Sequence, residues 1–286
     1  MVENYFVDET IKVVIVGHVD HGKSTLIGRL IHDLNQIPEG KLEELTKISS
    51  RRGMDFEWAF LLDALQTERN QGITIDTTQI FFKTKKRNYI LIDAPGHQEF
   101  LRNMITGASS AEIAILIIDA VEGIKEQTKK HAYLLKLLGI KEIIVLINKM
   151  DAKNYERRFF QEIKKELDNF LKILNLKKIN TIPISAKEGE NINNKSQKMK
   201  WFHELNLVDT LDNIDIVTDK SIVPLRIPVQ DIYKFNEKRI IVGKIETGRL
   251  SVGDEILVSP SNSKSKFQKW QKGFHLKKLE SLMSKI

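Results

Sequence analysis

The sequence predicts an α/β fold: a doubly wound domain with a mixed, mostly parallel sheet over roughly residues 8 to 206, then a smaller β-rich domain. Three observations carry this. Short apolar runs recur along the first two thirds of the 286 residues, and stretches with helical period separate them. After residue 215 the composition shifts to short β-branched runs set between glycine, proline and charged turns.

The apolar runs are "KVVIVG" (12 to 17), "NYILID" (88 to 93), "IAILIID" (113 to 119), "EIIVLIN" (142 to 148) and "TIPIS" (181 to 185). Runs this short and this continuously apolar suit strands buried on both faces, with helices above and below a parallel sheet. Tyr155, Phe159, Phe160, Ile163, Leu167, Phe170, Leu171 and Leu174 form an apolar stripe at helical spacing, which predicts a core-facing helix. Residues 1–206 are therefore expected as one domain and 207–220 as a linker.

In the remainder, "VPLRIPVQDIYKF", "RIIVGKIETGRL" and "GDEILVSP" read as antiparallel strands. Only three or four such runs precede "SKFQKWQKGFHLKKLESLMSKI", in which Leu276, Leu279, Leu282, Met283 and Ile286 stand at helical spacing. A closed barrel needs about five strands. Residues 221–286 are expected as a partial β-barrel domain with a basic helical tail.

Composition narrows the class. The chain is 41% hydrophobic and 29% charged, ordinary for a globular protein, and no apolar run reaches the roughly 18 to 20 residues that cross a bilayer. The opening "MVENYFVDET" has no signal-peptide pattern and cysteine is absent, so a cytoplasmic location is expected and no membrane partner. Absent cysteine also excludes thiolate metal sites and a cysteine nucleophile. Of the net charge of +7, residues 264 to 286 supply +6, from seven lysines and one glutamate. The main body is close to neutral, which argues against DNA as a partner.

Chemistry concentrates in the turns that follow the strands. From Gly17 to Ser24 the chain reads G-x-x-x-x-G-K-S, between the first strand and a helical segment. Gly17 and Gly22 let the backbone turn tightly, so successive N–H groups and the helix N-terminus point into one concavity and bind phosphate oxygens. Lys23 adds a point charge for the outer phosphates, and the Ser24 hydroxyl can ligate Mg²⁺. His18 and His21, spaced i and i+3 beside Asp20, could suggest a metal site. The loop must present N–H groups inward, so they are expected as lining.

"NKMD", residues 148 to 151, separates guanine from adenine. The Asp151 carboxylate only accepts, and guanine offers two adjacent donors, N1–H and the exocyclic amine. Adenine would leave that carboxylate desolvated and unpaired, at a cost of about 1 to 3 kcal/mol. "SAK", comprising Ser185, Ala186 and Lys187, follows the fifth run and can close over the base with backbone N–H groups. In "DAPGH" (93 to 97), Asp93 can hold the Mg²⁺ shell while the Gly96 N–H reaches the γ-phosphate. In "QGITID" (71 to 76), the Thr74 hydroxyl could complete Mg²⁺ coordination when the γ-phosphate is present, ordering a loop that is released afterwards.

"GHVDHGKST", "ERNQGITID", "DAPGHQEF", "RNMITGAS", "NKMD" and "SAKEGEN" together resemble the translational-factor superfamily of GTPases, typified by elongation factor Tu. The resemblance covers the chain to about residue 262 and implies a P-loop GTPase domain with GTP or GDP and Mg²⁺ as cofactors. By the same resemblance His97 orients the attacking water, Val19 and Ile73 form the apolar gate around it, and Asp20 matches an aspartate of the phosphate loop. The implied nucleotide site comprises Gly17, His18, Val19, Asp20, His21, Gly22, Lys23, Ser24, Thr25, Gly96, Asn148, Lys149, Asp151, Ser185, Ala186 and Lys187, with Ser24, Thr74 and Asp93 about the metal.

Within the superfamily, "GKSTLIGRL", "FEWAFLLDALQTERNQGITID", "EGIKEQTKKHAYLLKLLGI" and "LRIPVQDIYKFNEKRIIVGKIETGRLSVGDEILVSPSN" look most like the GTP-binding subunit of bacterial sulfate adenylyltransferase. That likeness implies coupling of GTP hydrolysis to formation of adenosine 5′-phosphosulfate, with the small catalytic subunit as partner. "DAPGHQEF" and "NMITGAS" also resemble elongation factor 1-alpha, which keeps aminoacyl-tRNA and the ribosome as the alternative, beside a truncated GTPase without partner coupling.

Overall fold

The computed structural model describes residues 10–51, 56–62, 78–93, 111–140, 142–176, 178–214, 224–235, 238–243, 245–272 and 280–283. The chain divides into two compact units, Met1–Ile214 and Asp215–Ile286.

The first unit runs β1 (Thr10–Gly17), α1 (Lys23–Asp33), α2 (Lys41–Arg51), β2 (Thr78–Lys83), β3 (Asn88–Asp93), β4 (Ile113–Asp119), α3 (Glu126–Leu137), β5 (Glu142–Asn148), α4 (Arg157–Ile173), β6 (Lys178–Pro183) and α5 (Leu207–Asp212). Its sheet has the order β2-β3-β1-β4-β5-β6, with β2 antiparallel and every other neighbour pair parallel. All seven residues of β4 are buried, as continuous apolar runs in a doubly covered sheet require. From α4, the expected stripe buries Phe160, Ile163, Leu167 and Leu171 into the core formed with Val14, Leu116 and Val145.

The registers bring the carboxyl ends of the parallel strands to one edge. Ile15 of β1 lies opposite Asp93 of β3, Gly17 opposite Ile117 of β4, and Asp119 of β4 opposite Asn148 of β5. The chain leaves β1 toward β3 on one side, while β4 flanks β1 on the other. Open α/β sheets bind ligands at such a switch in direction.

One difference from the sequence reading concerns a boundary. Residues 207 to 214, expected within a linker, fold as part of the first unit. Helix α5 buries Leu207, Val208 and Leu211, and the Asn206 side chain caps it by accepting from the Asp209 N–H at 2.8 Å. Asp212 accepts from the Thr84 hydroxyl at 2.5 Å and the Tyr89 hydroxyl at 3.2 Å, which ties α5 to β2 and β3.

The second unit holds β7 (Val229–Phe235), β8 (Lys238–Gly243), β9 (Glu255–Val258), β10 (Ser263–Lys266), β11 (Lys269–Lys272) and β12 (Glu280–Met283). They form a β11-β12-β8-β7 sheet and a β10-β9 pair about a small core of Leu250 and Phe267 with Leu225, Ile227, Ile241, Ile245 and Ile256. The tail expected as a basic helix instead supplies a strand, Leu282 of β12 pairing with Ile241 of β8 and Trp270 of β11. An apolar run this short fits either period, and the open edge of β8 decides it.

Candidate functional site

The turn from Gly17 into α1 is built as an anion cradle. Its last glycine, Gly22, stands at φ 90°, and a Cβ there would collide with the Asn148 amide. No side chain caps α1, so the first-turn N–H groups, those of Lys23, Ser24 and Thr25 included, face the mouth of the turn. Lys23 Nζ donates to the carbonyls of Gly17 at 2.8 Å and His18 at 2.9 Å, bridging the loop. Burial pushes the Lys23 ammonium below its ordinary pKa, opposed by the carboxylates of Asp93 and then Asp20. Asp20 is exposed at φ 63°, and Val19 beside it is half-buried.

The histidines of the turn look backwards into the protein. His21 is fully buried, its Nδ1 lies 3.3 Å from the Ile117 carbonyl and its Nε2 3.6 Å from Glu122. Burial pushes its pKa down despite those partners. His18 packs edge-on against it with ring centroids 5.3 Å apart. These contacts run to protein groups on the inner side of the turn.

A single side chain joins the phosphate turn to the base turn. Asn148, at the end of β5, donates from Nδ2 to the His21 carbonyl at 2.9 Å and accepts at Oδ1 from the Ala186 N–H at 2.9 Å. Both ends of its amide are engaged by protein, so Asn148 works as a brace. Ser185 donates from Oγ to Asp151 Oδ1 at 2.6 Å, which fixes the carboxylate and leaves the oxygen pair aimed by the turn. Lys149, at φ 61°, places its ammonium 2.8 Å from Asp119 Oδ2. Its charge is thereby taken up within the protein.

The structure thus gathers Gly17 to Thr25, Asp93, Asn148, Lys149, Asp151, Ser185, Ala186 and Lys187 at the carboxyl edge of one sheet. Thr74, Gly96 and His97 lie outside the described residues, as do Ile73 and "RNMITGAS". For Mg²⁺ the donor set fits: the Ser24 hydroxyl and the Asp93 carboxylate are hard oxygen ligands flanking a phosphate cradle.

Sequence reasoning missed three participants. Asp119 closes β4 at the same edge and was legible as the carboxylate ending "IAILIID". His131 of α3 is buried behind the turn, with both ring nitrogens lacking a hydrogen-bond partner among the described residues. Burial pushes its pKa down to about 4, helped by Lys23, His18 and His21. The third is the pair Arg29 and Trp58, which reach the Lys187 carbonyl at 3.1 and 3.2 Å. Nothing in their local sequence signals that contact.

Comparison with known proteins bears on this arrangement. The family model for the elongation factor Tu GTP binding domain matches residues 8–218. Elongation factor 1-alpha of Pyrococcus furiosus is 45% identical over 254 residues, 88% of this chain and 59% of the relative. That of Thermococcus gammatolerans is 44% identical with the same coverage. The chain therefore spans 59% of the length of these curated relatives. Among solved structures, sup35 complexed with GDP superposes with a TM-score of 0.54 at 24% identity, covering 99% of this chain and 65% of that one. The S. cerevisiae Ski7 GTPase-like domain bound to GTP gives 0.57 at 20% identity, covering 96% and 70%. These two likenesses speak to the fold. With three quarters of its length matched, site included, the chain belongs to the elongation factor Tu GTP binding domain family.

Proposed function

We propose that this chain binds GTP and GDP, hydrolyses GTP, and serves as the nucleotide switch of a translation elongation factor of the 1-alpha kind, with aminoacyl-tRNA and the ribosome as partners. The observation that carries the nucleotide reading is the Asn148 brace, which sets the phosphate turn and the Asp151 turn into one continuous site. The elongation factor 1-alpha relatives support the translation reading over the sulfate-activating one, which rested on short sequence stretches. The small sulfate adenylyltransferase subunit accordingly gives way to tRNA and ribosome as proposed partners, and the location expected is cytoplasmic.

In this reading the N–H groups of the turn and the α1 N-terminus hold the phosphates, and Lys23 moves from loop carbonyls to phosphate oxygens. Mg²⁺, when bound, neutralises charge on the outer phosphates; Ser24 and Asp93 would hold it, and Thr74 is assigned to the same shell. Asp151 reads the guanine donors while Ser185 to Lys187 close the base pocket. Gly96 N–H is assigned to the γ-phosphate and His97 to orienting the attacking water, because both follow directly on β3, whose last residue, Asp93, is close enough to perturb Lys23.

The test compares GTP hydrolysis by the chain alone, with programmed ribosomes and charged tRNA, and with a sulfate adenylyltransferase small subunit. Acceleration by ribosomes is expected. Acceleration confined to the adenylyltransferase subunit would overturn the translation reading.

A further inference from the structure

We propose that Trp58 and Arg29 are positioning residues for guanine recognition, holding the Ser185–Lys187 turn from its outer side through a shared acceptor. The indole Nε1–H of Trp58 and the guanidinium Nη1 of Arg29 both donate to the carbonyl of Lys187, at 3.2 and 3.1 Å. The inner side of the same turn is held by Asn148 and Asp151. Four side chains from three places in the chain thus grip three residues.

The two donors are themselves fixed. Arg29 donates from Nε to Asp33 Oδ1 at 2.7 Å, which sets the plane of its guanidinium, and its Cζ stands 5.1 Å over the Trp58 ring. His32 packs on the other ring contact of Trp58 at 4.5 Å, and Phe56 meets it edge-on at 5.1 Å. Two glycines make the room. At Gly28 a Cβ would collide with the Trp58 carbonyl, and at Gly189 a Cβ would collide with the Arg29 guanidinium. The α1 backbone and the Trp58 backbone therefore meet at a distance that only glycine permits at position 28, while Gly189 stands at φ 80°, which favours glycine, and leaves the guanidinium its place.

The consequence is chemical. N–H groups of a turn recognise a base carbonyl only if the turn is already in place when the base arrives; otherwise ordering it subtracts from affinity. A two-donor clamp on Lys187 pre-organises the turn, and it does so from the helix that also begins the phosphate cradle. The two halves of the nucleotide site are then coupled through α1 as well as through Asn148.

This rests on the guanine reading of Asp151 and the 185–187 turn, so the experiment keeps the two apart. Dissociation of fluorescent GDP, and equilibrium competition by GDP, GTP and ADP, are measured on the chain and on Trp58→Phe, which keeps a ring but loses the N–H. Arg29→Met removes the other donor, and the double variant completes a cycle; thermal unfolding of each checks that the fold is intact. The expected result is roughly a three- to tenfold rise in the GDP and GTP dissociation constants alike for each single variant, with the double variant's loss differing from the product of the two. Hydrolysis in a single turnover from saturating GTP is read beside the affinities, and a fall in its rate with unchanged dissociation constants would contradict a positioning role in binding. Folded variants with unchanged GDP affinity would overturn the clamp while leaving guanine recognition standing, and so would a loss confined to GTP. A parent chain that binds ADP as well as GDP would overturn the guanine reading itself.

Discussion

At the scale of single residues, the site divides into groups that face a ligand and groups that face the protein. His131 belongs to the second kind and makes a pH prediction. Its folded-state pKa of about 4 lies below the ordinary 6.5, so between those values the unfolded chain takes up a proton that the folded chain refuses. Stability is therefore complete above pH 6.5, falls as the pH drops toward 4, and the full loss amounts to about 3 kcal/mol. His21, shifted the same way by burial, adds to the slope. Urea unfolding at fixed GDP across this range should show a flatter profile for His131→Leu than for the parent, and parallel profiles would contradict the assignment. The residues proposed to face the ligand were read from the sequence, since a carboxylate, a lysine and two glycines at set spacings carry their chemistry with them. What was illegible was the bracing. That Asn148 spends both ends of its amide on His21 and Ala186, and that Arg29 and Trp58 meet on Lys187, depends on groups 38 to 158 positions apart.

At the scale of elements, continuous burial made β4 and β5 readable, because a strand covered on both faces leaves an unbroken apolar run, and the partly buried β1, β3 and β6 carry shorter runs of the same kind. Strand β2 was missed although "TQIFFK" alternates, with Gln79, Phe81 and Lys83 exposed and Ile80 and Phe82 buried. That is the signature of an edge strand, and it lay next to a stretch read for its threonine. Helix α5 was missed for another reason: six residues carry too little period to show, and its place is set by tertiary contacts. The Asp212 clamp gives those contacts a measurable value. Asp212→Ala leaves the buried Tyr89 hydroxyl without its acceptor and removes one from Thr84, so a loss of about 2 to 3 kcal/mol is expected in denaturant unfolding of the first unit. A linker residue would change stability by no more than about 0.5 kcal/mol.

At the scale of the whole molecule, the nucleotide fold and its ligand class were readable, whereas the branch of the family was not. Nucleotide-site motifs are shared by every branch because they bind the same ligand, so they carry no information about what the switch controls. The stretches that pointed to sulfate activation lie in both units, and identity to elongation factor 1-alpha over 254 residues weighs against them. The second unit gained strands β10, β11 and β12 beyond the runs visible in the sequence, since runs of only four residues have no distinctive pattern of their own.

The central claim is that a guanine nucleotide is held with Asp151 reading its base, and one measurement tests it most directly: competition binding of GDP, XDP and ADP to the chain and to Asp151→Asn. In xanthine a carbonyl replaces the exocyclic amine, so an asparagine amide can donate where the carboxylate accepted. The parent should prefer GDP over both rivals by at least about tenfold, and Asp151→Asn should prefer XDP. An unchanged preference in the variant would remove Asp151 from the base and contradict the account.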